Sequence, residues 1–436
     1  MTSTRALRAI RGEILHFIAD PADRGANALV HFNDGLLLVR DGLVAELGPA
    51  DALLATLPTG TPVDDHRGKL ILPGFVDTHV HYAQTDIIAS HGEQLLTWLE
   101  KYTFPAERRF ADPAHAATVA EFFCDELLRN GTTTALAFAT VHPGSVDALF
   151  AAAHRRRMRL ITGKVLMDRN CPDFLRDTAA RGDAESRGLI ERWHGRGRLS
   201  YAVTPRFAAT STAEQMTLAG RLFAEHPGLY LQSHVAENRS EVAWVKELYP
   251  QVRSYLDVYE RFHQLGPRSV FAHCIWLDDT DRARMAANGA AMSFCPTSNL
   301  FLGSGLFDLE RADAAGVRVG LGSDVGAGTS FSMLRTLDEA YKVLQLCGQS
   351  LSAERAFYLA TLGGARSLYL DDRIGSFVPG READFVVLDP AATPLLARRS
   401  AACTTLTERL FVLMMLGDDR AVAETWVLGE PVWRRG

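Results

Sequence analysis

The chain has 436 residues, 47% of them apolar and 22% charged, with a formal net charge of −6. This composition suits a globular protein with a large core, and the negative balance leaves no basic footprint for nucleic acid. No apolar run reaches the roughly 18 residues of a membrane-spanning helix, so a small polar molecule is the natural partner, with no membrane involved.

The cysteines, Cys124, Cys171, Cys274, Cys295, Cys347 and Cys403, are scattered and form no Cys-x-x-Cys pair. They read as reduced thiols of a cytoplasmic protein rather than as a disulfide framework. Met1 to Arg11 contains three arginines with no apolar segment after them, so no secretory signal is expected.

In chain order, Ala28 to His31, Gly35 to Val39 and Leu43 to Leu47 read as short strands. They are broken by Asn33-Asp34-Gly35 and Asp41-Gly42, both turn signals. A long middle then alternates strand and helix. Its apolar, β-rich runs are Leu70–Val76, Thr132–Phe138, Arg159–Met167, Leu199–Val203, Leu229–Gln232, Ser269–Ala272, Ala290–Phe294 and Arg318–Leu321. Helical spacing fills the gaps, as in Ala114–Arg129 and Ser145–Arg157. Asp384 to Leu388 and a hairpin over Ala423 to Val432, turning at Gly429, return to the texture of the first segment. The expected fold class is α/β: a TIM-like (β/α)₈ barrel with a small β-sandwich domain built from the N- and C-terminal segments. An open parallel sheet is the alternative arrangement of the same strands. The expected domains are 1–69 and 376–436 for the two parts of the small β domain and 70–375 for the barrel.

Barrel active sites lie at the C-terminal ends of the strands, and metal-type residues fall there. Asp77-Thr78-His79-Val80-His81 follows the first strand, Arg206 and Phe207 the fourth, His234 the fifth, His273 the sixth and Asp324 the eighth. Residues two apart on a strand face the same way, so His79 and His81 can share one ion. Alone, the pair reads equally well as two hydrogen-bonded histidines. With His234, His273 and Asp324 it makes a donor set suited to Zn²⁺, which Fe²⁺ or Co²⁺ could also occupy. Glu237, three residues beyond His234, suits a proton shuttle beside the ion; a helix first-turn glutamate is the plainer alternative. Asp324 suits a ligand that also accepts a proton, against a turn aspartate among glycines. Asp77 reads as support for a neighbouring histidine or as structural packing. His91 and His142 lie in loops after strand ends and read as solvated. No lysine stands in Thr204-Pro205-Arg206-Phe207 to bridge two metals, which points to one ion.

The segment Pro73 to His81, Pro-Gly-Phe-Val-Asp-Thr-His-Val-His, resembles the opening motif of the amidohydrolase superfamily. Within it, the guanine deaminase family is the nearer match. The carriers are His81 to Asp86, the Trp-Leu…Tyr-Thr-Phe-Pro run between Leu96 and Glu107, Gly131 to Thr134, Phe138 to His142 and Cys295 to Asn299. The resemblance spans nearly the whole chain. It implies His79, His81, His234 and Asp324 as metal ligands, with His273 at the metal or within reach of it, and Glu237 as acid and base. Asp324 and His273 join Glu237 in the chemistry. It implies that Gln84, Arg206 and Phe207 hold a purine, with His234 and His273 facing it as well. One Zn²⁺ per subunit, Fe²⁺ being the other candidate, and a homodimer are further implications. Arg206 offers donors to the O6 and N7 acceptors of guanine, Gln84 can donate and accept, and Phe207 offers a stacking face. Without the resemblance, Arg206 reads as a surface ion-pair residue and Phe207 as barrel packing. Two other readings share the motifs: a related mononuclear hydrolase of another purine, a pyrimidine or a triazine, and a non-catalytic barrel scaffold, which would be expected to have lost ligands.

Overall fold

A computed structural model describes residues 7–436. The expectation of no secretory signal rests partly on residues 1–6, which lie outside the described residues. Among the described residues, no helix is long and apolar enough to cross a membrane.

The first segment supplies strands β1 (Arg8–Phe17), β2 (Leu29–Arg40), β3 (Leu43–Pro49) and β4 (Val63–Pro73). Asp41 and Gly42 turn the β2–β3 hairpin with φ of 55° and 83°, the left-handed pair that a two-residue turn of this hand needs. Asn33-Asp34-Gly35 does not turn, contrary to its sequence signal, because β2 runs straight through it. The β1–β2 register slips there, from Gly12 facing Gly35 to Ile14 facing Phe32. The irregularity absorbs the turn-type residues as a bulge, and Arg11 fixes Asp34 through hydrogen bonds of 2.8 and 2.6 Å.

The middle supplies β5 (Phe75–His81), β6 (Thr132–Phe138), β7 (Arg159–Gly163), β8 (Val165–Leu166), β9 (Leu199–Pro205), β10 (Tyr230–Val235), β11 (Ser269–His273), β12 (Ala291–Phe294) and β13 (Arg318–Leu321). The parallel order β13-β12-β11-β10-β9-β7-β6-β5 follows the sequence, and β8 is a short continuation of β7 pairing with β9. β5 and β6 are buried along their whole length, as strands covered on both faces must be. The expected first strand, Leu70–Val76, is divided. Leu70 to Pro73 belongs to β4, and the barrel begins at Phe75. Gly74 makes the crossing, where an added Cβ would lie 2.2 Å from Thr133 Oγ1. The barrel closes just past β13: Asp324 N–H donates to His79 O at 2.9 Å, and His81 N–H to Val325 O at 2.8 Å. Gly320 permits the approach, since a Cβ there would stand 2.5 Å from Thr78 Cγ2.

The last segment supplies β14 (Phe385–Leu388), β15 (Val422–Val427) and β16 (Glu430–Arg434). N- and C-terminal segments therefore meet in one seven-stranded mixed sheet, order β16-β15-β14-β4-β1-β2-β3. The sandwich is this one sheet rolled on itself. Leu43 of β3 bridges Glu382 just ahead of β14, and Ile10, Leu37, Phe385 and Trp426 share one core, with Phe385 stacked on Trp426 at 4.9 Å.

A buried ion cluster joins this sheet to the N-terminal rim of the barrel. Arg198, which precedes β9, bonds Asp384 through both terminal nitrogens and lies 2.6 Å from Glu382 Oε2. Arg159, the first residue of β7, also donates to Glu382. Removing one member of such a cluster strands its counter-charges in the interior. Arg198→Met is expected to lower unfolding free energy by about 3–5 kcal/mol, read by denaturant titration; a loss within experimental error would show the cluster to be neutral to stability.

Candidate active site

The C-terminal rim of the barrel gathers the metal-type side chains. His79 and His81 share one face of β5, and their Nε2 atoms lie 3.2 Å apart. His234, one residue before the end of β10, brings its Nε2 to 3.2 Å from that of His81. Asp324 Oδ1 lies 3.2 Å from His79 Nε2 and 3.4 Å from His81 Nε2. His273, at the end of β11, stands further off, its Nε2 3.8 Å from Asp324 Oδ2 and 3.4 Å from Glu237 Oε2. Several of these strand ends leave in the left-handed region: Ala236 at φ 51°, His273 at 72°, Cys274 at 57° and Asp324 at 50°. Backbone cost of this kind persists only where surroundings enforce it, and it gathers at functional sites.

The donor set fits a tetrahedral cation. Metal–nitrogen bonds of ~2.0–2.1 Å imply ligand separations of about 3.3 Å, close to the first four distances just given; the donor atoms of His79, His81 and His234 lie within 4.8 Å of one another, as do those of His79, His273 and Asp324. His234 Nδ1 lies 2.6 Å from Arg206 O. A carbonyl only accepts, so Nδ1 carries the proton and Nε2 presents a lone pair to the cluster. Burial pushes His81 down to about 3, and burial with the neighbouring imidazoles holds His234 well below its ordinary value. Burial opposes ionisation of Asp324, yet the His79 charge and hydrogen bonds from His79 and His81 hold it well below the carboxylate range. The lowered proton affinity of His81, His234 and Asp324 matches the deprotonated donors that a divalent cation requires.

Behind the cluster, Asp77 accepts from the N–H groups of His79 and Ser323, each at 3.1 Å, and from the Ser323 hydroxyl. It ties β5 to the segment carrying Asp324, in line with the supporting part its sequence position suggested. Glu237 is buried with its Oε1 accepting from Ser304 Oγ at 3.0 Å. Burial, reinforced by the Asp324 charge, pushes its carboxyl up to about 8.

Gln84, Arg206 and Phe207 line the same cavity as His81, His234 and Asp324, together with Trp98, Leu99 and Leu302. Gln84 Oε1 accepts from Gly326 N–H at 3.3 Å. Arg206 is buried and bonds Glu107. Phe207 is buried, with Trp244 at 6.0 Å. His91 is exposed, and neither it nor the half-buried His142 lines the cavity.

Sequence reasoning gave no part to four residues. Asn299 Oδ1 lies 2.9 Å from His273 Nδ1 and orients that ring; its place just after β12 was the available signal. Glu241 Oε2 accepts from the N–H groups of Glu237 and Asn238 at 2.9 and 3.2 Å, while Tyr255 donates to its Oε1 at 2.6 Å. Ser304 carries no motif that marks it, and Glu107 closes the Leu96–Glu107 run without a part assigned to it.

A family model described as Amidohydrolase family matches residues 70–432. Over its whole length the chain is 53% identical to guanine deaminase of Escherichia coli strain K12, and the alignment covers all of both proteins. The solved E. coli guanine deaminase superposes with a TM-score of 0.97, covering 98% of this chain and 100% of that one. Guanine deaminase from C. acetobutylicum, solved with bound guanine in its active site, is 30% identical and superposes with a TM-score of 0.89, covering 98% and 100%. The chain belongs to the amidohydrolase family, among the guanine deaminases.

Proposed function

We propose that the protein hydrolyses guanine: water replaces the exocyclic amino group at C2, giving xanthine and ammonia. The observation that carries this reading is a single cavity whose walls hold both chemistries. His81, His234, Glu237 and Asp324 line it, and so do Gln84, Arg206 and Phe207. One Zn²⁺ per chain, held by His79, His81, His234 and Asp324 with His273 adjacent, is part of the proposal, and Fe²⁺ fits the same donors. Such an ion lowers the pKa of a bound water from ~15.7 toward ~7.

The side chains have separable tasks. Phe207 offers a face to the purine ring, Gln84 one donor and one acceptor, and Arg206 donors for O6 and N7. Glu237 takes one proton from the attacking water and delivers it to ring nitrogen N3, which makes C2 electrophilic. The water oxygen bonds to C2. His273, held through Nδ1 by Asn299, presents Nε2 as a donor to the oxygen where charge develops. Asp324 takes the second proton and, through Glu237, it reaches the amino nitrogen. The C2–N bond then breaks and ammonia leaves. Glu237 suits both directions of transfer because burial raises its proton affinity while a nearby cation lowers it.

The six thiols are free, which supports a cytoplasmic location. A homodimer is proposed on the family resemblance alone.

A panel of guanine, adenine, cytosine and a chlorotriazine, read by ammonia release with metal content measured on the same sample, tests the reading. Guanine is expected to be the preferred substrate, with about one ion per chain. Strong turnover of cytosine or the triazine with none of guanine would overturn it. Glu237→Gln should keep its metal and lose about 10²–10⁴ of kcat; full activity in that variant would remove Glu237 from the reaction.

A further inference from the structure

Arg206 is a buried arginine that lines the cavity, and something must fix where its fork points. Its Nη1 donates to both Oε1 and Oε2 of Glu107, each at 2.9 Å. Glu107 is wholly buried, and Arg206 is 2% exposed. The guanidinium also lies over the Phe104 ring, 5.4 Å from its centroid. Among the described residues, Nε and Nη2 make no hydrogen bond, although Arg206 lines the cavity. One nitrogen is thus consumed by the counter-ion, and the other two are left for a ligand.

We propose that Glu107 is a specificity-determining positioning residue, which holds the Arg206 fork so that its free donors meet the O6 edge of a 6-oxopurine. This inference rests on the guanine reading above. Glu107 itself touches no substrate atom. It acts in two ways. Its two oxygens lock the side-chain torsions of Arg206 before substrate arrives, so the ordering cost of a long side chain is not met at binding. Its charge cancels that of Arg206 inside a low-dielectric cavity, so a neutral base can enter without leaving a cation unpaired. Arginine offers donors only, so a fork fixed in this way accepts a carbonyl at position 6 and rejects an amino group there. Glu107 and Phe104 lie on one short helix, Phe104–Arg108, which brings the counter-ion and the apolar backing to the same guanidinium.

The test compares guanine with 2-aminopurine, which keeps the 2-amino group and lacks O6. In the intact protein carrying Glu107→Gln, KM for guanine is expected to rise about tenfold, the cost of one charge-assisted hydrogen bond. The competitive inhibition constant of 2-aminopurine should stay within about twofold. Metal content and the thermal midpoint report folding. If the Gln variant does not fold, Glu107→Asp carries the test, since it keeps the charge and withdraws it by one methylene; the same split between the two ligands is expected. In an Arg206→Met background, Glu107→Gln should cost guanine nothing more, because its effect passes through the arginine. Equal weakening of guanine and 2-aminopurine, or additive losses in the double variant, would overturn the proposal. A wild-type protein that neither binds nor turns over guanine would instead bring down the reading on which it rests.

Discussion

The barrel is closed by two backbone hydrogen bonds, and three of the four residues that make them belong to the candidate metal cluster. Asp324 N–H meets His79 O, and His81 N–H meets Val325 O. A parallel barrel must bring its first and last strands together somewhere. Here that seam sets His79, His81 and Asp324 within 3.2–3.4 Å of one another through their side chains. Closure and ligand geometry are one constraint. Asp77 reinforces it from behind by accepting from the backbone of both His79 and Ser323.

The same economy recurs across the cavity at Arg206. Its carbonyl accepts from His234 Nδ1 and so sets the tautomer of that imidazole. Its side chain points into the cavity, held by Glu107. One residue after β9 thereby orients a metal-type ligand with its backbone and faces the ligand space with its guanidinium. A shift of β9 along its axis would disturb both together; β7 with its continuation β8 holds one edge of the strand and β10 the other.

What was legible in the sequence follows from range. Eight apolar runs with helical spacing between them are local patterns, and they located the barrel strands to within a few residues. His79 and His81 were legible because period two on a strand is local as well. The misplaced turn at Asn33-Asp34-Gly35 shows the limit: the same residues serve a turn or a bulge, and the partner strand decides between them. The split at Gly74 has the same origin, since nothing in Leu70–Val76 states that its first half pairs with β14, more than 300 residues later. Glu107 and Glu241 were not legible as site residues. Each looks like an ordinary helical glutamate until the fold places Arg206 against one and the Glu237 turn against the other.

The site is also a burden on the fold. Glu237 and Glu241 are buried within one turn of each other, and burial pushes the second carboxyl up to about 7. Four imidazoles converge nearby, and the exits of β10, β11 and β13 include residues in left-handed backbone. Without a cation, much of this is unfavourable burial of polar groups, so an ion that binds only the folded state adds its binding free energy to stability. The remaining support comes from the opposite rim. There the rolled sheet brings Glu382 and Asp384 against Arg159 and Arg198, and its own apolar core lies around Trp426. Strain and buried charge at the C-terminal rim are tolerated because the N-terminal rim is anchored by elements that take no part in the chemistry. The small domain, assembled from both ends of the chain, also joins the segments leading into β5 and away from β13, and so holds the seam on which the cluster depends.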